Sequence, residues 1–207
     1  MAAKELNQRD TKLVQWLAEA HAKEAELEAD LTAHIGLTEK QAYKKRLRKH
    51  LTETRGHKRL VARRIKQLGG STSDGAVPGA VAEVAGKTLA AVKGQVGVIR
   101  AALTEQAETH LRNVQEELRE EQVEIALYSR IEVFATEVGD RDTARLAAAI
   151  RRDEERMAKY LSAELPRLVK DLVKAAVPKD QRAKPTRPSR RRRSTTTPTR
   201  RRSAAAR

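Results

Sequence analysis

Four glutamates stand where apolar side chains are expected. Glu24 interrupts the series Leu13, Leu17, Ala20, Leu27, Leu31, and Glu53 lies on a ridge with His50, His57 and Leu60. Glu124 falls between Glu121 and Tyr128, and Glu154 between Ile150 and Met157. Spacings of three and four residues belong to one face of an α-helix. A carboxylate on a buried face is costly unless it is paired, protonated or bound to a metal. Four of them, one per helix and each near mid-helix, can converge on one level of a bundle. Carboxylate-bridged di-iron and di-manganese sites are built this way, with added histidine ligands. Glu24, Glu53, His57, Glu124 and Glu154 are therefore candidate ligands for two iron or manganese ions. His50 shares the ridge and can complete a ligand set, although its position reads better as a partly exposed surface histidine. Glu117 and Glu121 read equally as a solvated face. A structural reading stays open beside the metal one: with 43 Lys and Arg against 28 Asp and Glu, basic side chains of a neighbouring helix can pair the four glutamates.

These residues need helices to position them, and the composition supplies helix. Aromatics are 2% and charged residues 34%, whereas sheets favour aromatic and β-branched residues. Ala, Leu, Glu, Lys, Arg and Gln dominate and are strong helix formers. A first helix is expected from about Asn7 to Ile35, stopped by Gly36. Thr38 and Gln41 suggest a capping box for a second helix that runs to Leu68 and ends at Gly69 and Gly70. A third is expected over about 104–138. A fourth starts near Asp142, with a kink or a new start at Pro166. The loop 69–79 and the Ala/Val-rich stretch 80–103, read as one or two short helices, span the long connection. The expected fold is all-α, a ferritin-like antiparallel four-helix bundle with one long crossover, over residues 1–177.

The remainder, 178–207, reads as a separate device. It holds twelve Lys and Arg and one acid, Asp180, a net charge of +11, against about +4 for residues 1–177. Arg187, the run Arg190, Arg191, Arg192 and Arg193, and the run Arg200, Arg201 and Arg202 are separated by Ser, Thr and Pro. Prolines, like charges and few apolar groups predict a disordered tail. Guanidinium forks suit phosphate, and the tail has no aromatic to stack on bases. Binding of nucleic acid without sequence reading is expected, DNA before RNA.

Other chemistries are excluded or unsupported. Cysteine is absent, which removes disulfides, thiolate metal sites and Cys nucleophiles. No apolar run approaches the roughly 18 residues of a membrane span, and the charged N-terminus lacks a signal-peptide core, so a cytoplasmic protein without a membrane partner is expected. No nucleophile–base pair or phosphate-cradling glycine loop is visible, which favours a non-enzymatic binder over a di-metal oxidase.

Four stretches carry a family resemblance: Ala22–Leu27, His50–His57, Glu121–Tyr128 and Asp153–Glu155. In them the chain resembles the YciE/YciF group of bacterial stress-associated proteins over about residues 10–165. The resemblance implies a ferritin-like bundle, a homodimer or higher homo-oligomer, and a di-metal centre on Glu24, Glu53, Glu124 and Glu154 with His57. Departures are Gly56 and Met157 at Glu-x-x-His positions, Gln122 where the family carries His, and Ala158 in place of an acid. The tail has no counterpart in the family core. Together these readings give a stress-linked, nucleoid-associated DNA-binding protein on a ferritin-like frame, with iron handling or oxidative-stress defence as the alternative.

Overall fold

In the computed structural model, residues 6–72 and 95–183 are described, with side chains from residue 102 in the second stretch. Four helices, α1 (Gln8–Leu37), α2 (Gln41–Leu68), α3 (Gln95–Glu137) and α4 (Arg141–Ala176), are followed by a 3-10 turn, Lys179–Gln181. No strand occurs among the described residues. The helix ends follow local chemistry. The Asn7 side chain accepts from the Asp10 N–H at 2.8 Å and opens α1. Gly69, at φ 95°, ends α2, and the N–H groups of Gly69 and Gly70 close onto the Lys66 and Ile65 carbonyls, as a left-handed terminal glycine allows. A Cβ on Gly70 would collide with Val14 of α1, so the turn also needs its bare backbone there. Asp140 opens α4 by accepting from the Thr143 N–H at 3.1 Å, and Arg64 of α2 donates to it at 2.7 Å.

Several boundaries differ from expectation. The first helix passes through Gly36 to Leu37. Thr38 closes it instead of opening α2: its buried hydroxyl donates to the His34 carbonyl at 2.7 Å, filling one of the acceptors a helix end leaves free. The expected capping box is not formed, because Lys40 precedes α2 without a side-chain cap and the Gln41 amide donates to the Glu39 carbonyl. The third helix begins at Gln95 rather than near Thr104, since elongation adds a hydrogen bond per residue and no proline intervenes. The rest of the long connection, 73–94, lies outside the described residues. In α4 the helix continues through Pro166 without a new start. Pro166 and Ser162 are exposed, so the carbonyl freed by the missing N–H faces water. Of the segment expected to be disordered, residues 178–183 are ordered: the Arg182 guanidinium donates to the carbonyls of Val177 and Lys174 at 2.8 and 2.7 Å. Terminal carbonyls of α4 hold it there.

The pairs α1/α2 and α3/α4 are antiparallel hairpins. Helix α1 also runs antiparallel to α3, from the Glu19–Arg130 contact to the Gln106 amide on the Leu37 carbonyl. Helix α2 runs antiparallel to α4, from Arg64–Asp140 to Lys40–Asp171. Helices α2 and α3 are therefore parallel and joined by a crossover, the ferritin-like arrangement. No helix among the described residues is long and apolar enough to cross a membrane.

The apolar core comes in two parts. One holds Leu17, Val61, Ile131 and Ile150 among others; the second holds Leu27, Leu47, Val114, Met157 and Leu161. Each helix passes from one part to the other at a buried polar residue: Glu24 in α1, His50 to His57 in α2, Glu117 to Glu124 in α3 and Glu154 in α4. A polar layer thus divides the core.

Candidate metal centre

Helix periodicity places this layer. On α1 the inward positions 17, 20, 24, 27 and 31 are all buried, and Glu24 is the one that carries a charge. On α2 the inward series is Tyr43, Leu47, His50, Thr54, His57, Val61 and Ile65. It brings both histidines to the same level as Glu24. Helix α3 contributes Glu121 and Glu124 and helix α4 Glu154, all fully buried.

The side chains form two groups of three that share Glu154: Glu24, His57 and Glu154, and His50, Glu121 and Glu154, each with donor atoms within 4.8 Å of one another. His57 Nδ1 stands 2.8 Å from Glu154 Oε1 and 3.6 Å from Glu24 Oε1. His50 Nε2 stands 2.8 Å from Glu121 Oε1 and 3.7 Å from Glu154 Oε2. The two oxygens of Glu154 therefore face different histidines. Yet His50 Nε2 and Nδ1, His57 Nδ1, Glu24 Oε2 and both carboxylate oxygens of Glu121, Glu124 and Glu154 have no hydrogen-bond partner among the described residues. These atoms lie close together without pointing at one another. Donors each about 2.1 Å from a shared ion stand about 3 Å apart and aim at the ion, so this packing fits cations at the centre of each group.

The outer sides of the ligands are held. The Tyr128 hydroxyl donates to Glu24 Oε1 at 2.6 Å. His57 Nε2 contacts Asp153 Oδ2 at 3.2 Å, and His50 Nδ1 faces Glu53 Oε2 at 3.5 Å. A carboxylate behind a histidine, fixing the tautomer that leaves the other nitrogen free, is usual at metal sites.

Without a bound cation the electrostatics of this layer are strained. Burial, with the charge of Glu154 added, pushes the Glu24 carboxyl up to about 8. Burial likewise pushes Glu121 up to about 8, outweighing the nearby His50. Glu124 is raised well above the carboxylate range by burial and then by the charges of Glu24, Glu154 and Glu121. Burial alone would depress His50, but contacts with Glu121 and Glu53 and the charges of Glu121 and Glu154 outweigh it and lift His50 to about 10. His57 is raised in the same way, against its burial, by Glu154 and then Glu24. Without cations the layer must hold protons. Two divalent ions would balance the four carboxylates Glu24, Glu121, Glu124 and Glu154 with both histidines neutral.

Of the expected ligands, Glu24, His57, Glu124 and Glu154 meet in this layer. Glu53 does not: it is partly exposed and is gripped by Arg46 and Lys49 at 3.1 Å each. The neighbouring His50, and then that clamp, hold its carboxyl down at about 2 against its partial burial. His50, expected at the surface, is completely buried, because the inward face of α2 runs through 50, 54 and 57 and leaves Glu53 and Leu60 to one side. Glu121 joins the layer as well, so the solvated reading of that face is replaced. Glu117 is also buried, paired with His34 of α1. Arg187, Arg190, Arg191, Arg192, Arg193, Arg200, Arg201 and Arg202 lie outside the described residues, and with them the expectation of a disordered, nucleic-acid-binding tail over 184–207.

Comparison with known proteins reaches the same frame. The model of a family described as Domain of unknown function (DUF892) matches residues 8–174. Among solved structures, a protein from Xanthomonas campestris pv. campestris superposes with a TM-score of 0.62 at 24% identity, covering 81% of this chain and 97% of that one. At that identity the likeness shows the fold. No curated protein matches.

Proposed function

The chain belongs to the DUF892 family, and on that frame we propose a carboxylate-bridged two-metal protein of the YciE/YciF kind, serving iron handling or oxidative-stress defence. One observation carries the reading: two His/Glu groups share Glu154, and most of their buried donor atoms have no hydrogen-bond partner among the described residues. Oxygen and imidazole donors without thiolate suit iron and manganese. Two such ions, when bound, supply one-electron redox chemistry toward oxygen species.

The chain's own residues set the terms. Glu154 reaches both groups and would bridge the ions. Tyr128 orients Glu24 through its hydrogen bond, and Asp153 orients the His57 imidazole. Glu124 adds a fourth carboxylate beside them. The two apolar parts of the core close the layer from either side and keep bulk water out. Protons held by Glu24, Glu121 and Glu124 in the metal-free state leave as cations enter, so uptake releases protons.

The test is elemental analysis after reconstitution with Fe(II) or Mn(II) and removal of free metal. About two metals per full-length chain are expected, falling to one or none in Glu154→Ala. A wild-type chain that retains no metal ends this reading.

A second reading is favoured by the charge partition. The segment 178–207 carries a net +11, which supports sequence-independent binding of DNA in a nucleoid-associated role. If roughly 6–10 of its cations meet phosphates, affinity falls about 10³–10⁵-fold between 50 and 200 mM salt. A chain ending at Val177 that binds DNA as tightly as the full chain would remove the tail from this role.

A further inference from the structure

The modest charge of the bundle hides a very uneven distribution. Helix α2 carries eleven Lys and Arg against a single acid, Glu53, in its 28 residues. Helix α1 carries three against six acids, and α3 four against nine. Helix α4 carries nine against six, so α2 alone, at a net +10, stands out, and its inward face holds no Lys or Arg.

The basic residues fall on one line. Lys45, Arg48, Arg55, Arg59, Arg63 and Lys66 are all exposed, at steps of three, seven, four, four and three, with Thr52 filling the long step. This is one outward helix stripe. Arg55 pairs with Glu28 of α1. Lys45, Arg48, Arg59, Arg63 and Lys66 have no carboxylate partner among the described residues, although the bundle's acids are plentiful. Like charges three and four residues apart on a helix repel, and a face built for solubility alone mixes both signs. The stripe therefore carries a cost that folding does not explain.

We propose that the outer face of α2 is a docking surface for the phosphate backbone of duplex nucleic acid. From residue 45 to 66 the stripe is about 31 Å long. A duplex offers one phosphate per about 1.7 Å of axis, and its major groove, about 12 Å wide, admits an α-helix. A straight row of cations complements a linear polyanion. No aromatic or amide side chain belongs to the repeat, which leaves nothing to stack on single-stranded bases or read base edges. Nor does the stripe suit a lipid surface, which takes an apolar face beside the basic one. The apolar face of α2 is spent in the core, and Leu60 is its one large exposed apolar side chain.

Position adds a second argument. Helix α4 ends beside the start of α2, where Lys40 Nζ meets Asp171 Oδ2 at 3.0 Å. The Arg-rich segment follows α4 in the chain, so its attachment point lies at the end of the bundle where the stripe begins. Two weak sites on one polyanion raise each other's effective concentration. The surface is independent of whether the buried layer holds metal.

The experiment uses full-length protein and a random-sequence duplex of 30 base pairs, with affinity measured from 50 to 200 mM salt. One variant combines Lys45→Gln, Arg48→Gln, Arg59→Gln and Arg63→Gln. A control combines Arg141→Gln, Arg152→Gln, Lys159→Gln and Lys170→Gln, which are exposed α4 positions without an ion pair among the described residues. Both lose the same charge and keep the tail, and circular dichroism verifies their helices. Each lost phosphate contact reduces the log–log salt slope by about 0.9. The stripe variant should lose about 3 to 4 from that slope, so that its fall in affinity over this salt range shrinks roughly 100-fold. The control should lose less than one. Equal slopes in the two variants, or an unchanged slope in the stripe variant, overturn the proposal. So does a stripe variant that keeps duplex affinity but loses binding to phosphatidylserine vesicles, since the surface would then serve lipid.

Discussion

Helix α2 has two faces that obey opposite rules. Inward, His50 and His57 are buried among four carboxylates whose oxygens mostly lack partners. Outward, Lys45, Arg48, Arg59 and Arg63 are exposed, with no acid partner among the described residues. Desolvation governs the first face: Glu24, Glu121 and Glu124 are raised chiefly by burial. Solvent screening governs the second, where the same magnitude of charge has little influence on folding. Unbalanced charge inside the bundle therefore implies a bound counter-charge or bound protons. Outside, it implies a partner that exploits the charge.

The largest contrast is expected in pH dependence. Folded Glu24 and Glu121 titrate near 8, well above unfolded glutamate. Between those limits the folded chain holds protons that the unfolded chain has released, so stability falls as pH rises. His50, lifted to about 10, acts in the same direction above its unfolded value. Metal-free protein should therefore lose stability steadily from pH 5 to pH 9. With Mn(II) the acid side reverses, because low pH protonates the ligands and expels the ion. Urea unfolding at pH 5, 7 and 9, with chelator and with metal, measures both slopes. A flat metal-free profile would break the contrast between the two faces.

A smaller effect separates the faces by substitution. Glu124→Leu removes a fully buried carboxyl whose two oxygens have no partner. It should raise metal-free stability by about 1–3 kcal/mol while weakening metal retention. Arg59→Leu, on the exposed face, should change stability by less than about 0.5 kcal/mol. Denaturant midpoints of the two variants in chelator give the comparison. If Glu124→Leu destabilises the metal-free chain, the carboxyl has a partner that the static geometry does not reveal.

Much of this was legible in the sequence, and the misses have physical causes. Glu24 and Glu154 were visible because each breaks an otherwise apolar period, and Glu124 because it shares a face with Tyr128 and Ile131. Glu53 and His50 exchanged places: the ridge His50, Glu53, His57 and Leu60 is not the inward face as a whole, since Glu53 is partly exposed and Leu60 is 41% exposed. The regular series 43, 47, 50, 54, 57, 61 and 65 was the better signal. Thr38 misled because Ser and Thr hydroxyls serve either end of a helix, and only the neighbouring carbonyl decides. The basic stripe was hidden by averaging, since the acids of α1 and α3 cancel it in the net charge of residues 1–177.

The smallest expected effect lies between the two faces. Gly56 occupies the position that a Glu-x-x-His pattern starting at Glu53 would give to histidine. A Cβ placed there has no heavy atom within 4 Å, and the residue is only half-buried. The inward register at this level belongs to Thr54 and His57, one residue or two away, so a side chain at 56 misses the buried layer. Gly56→Ala should therefore stabilise α2 by about 0.5–1 kcal/mol through its helix propensity, leaving metal stoichiometry and duplex affinity unchanged. Gly56→His should likewise bind no additional metal. Thermal unfolding and elemental analysis on the two variants test this together. A gain in metal retention with Gly56→His would mean that the inward face of α2 is wider than 50, 54 and 57, and would bring Glu53 back among the ligands.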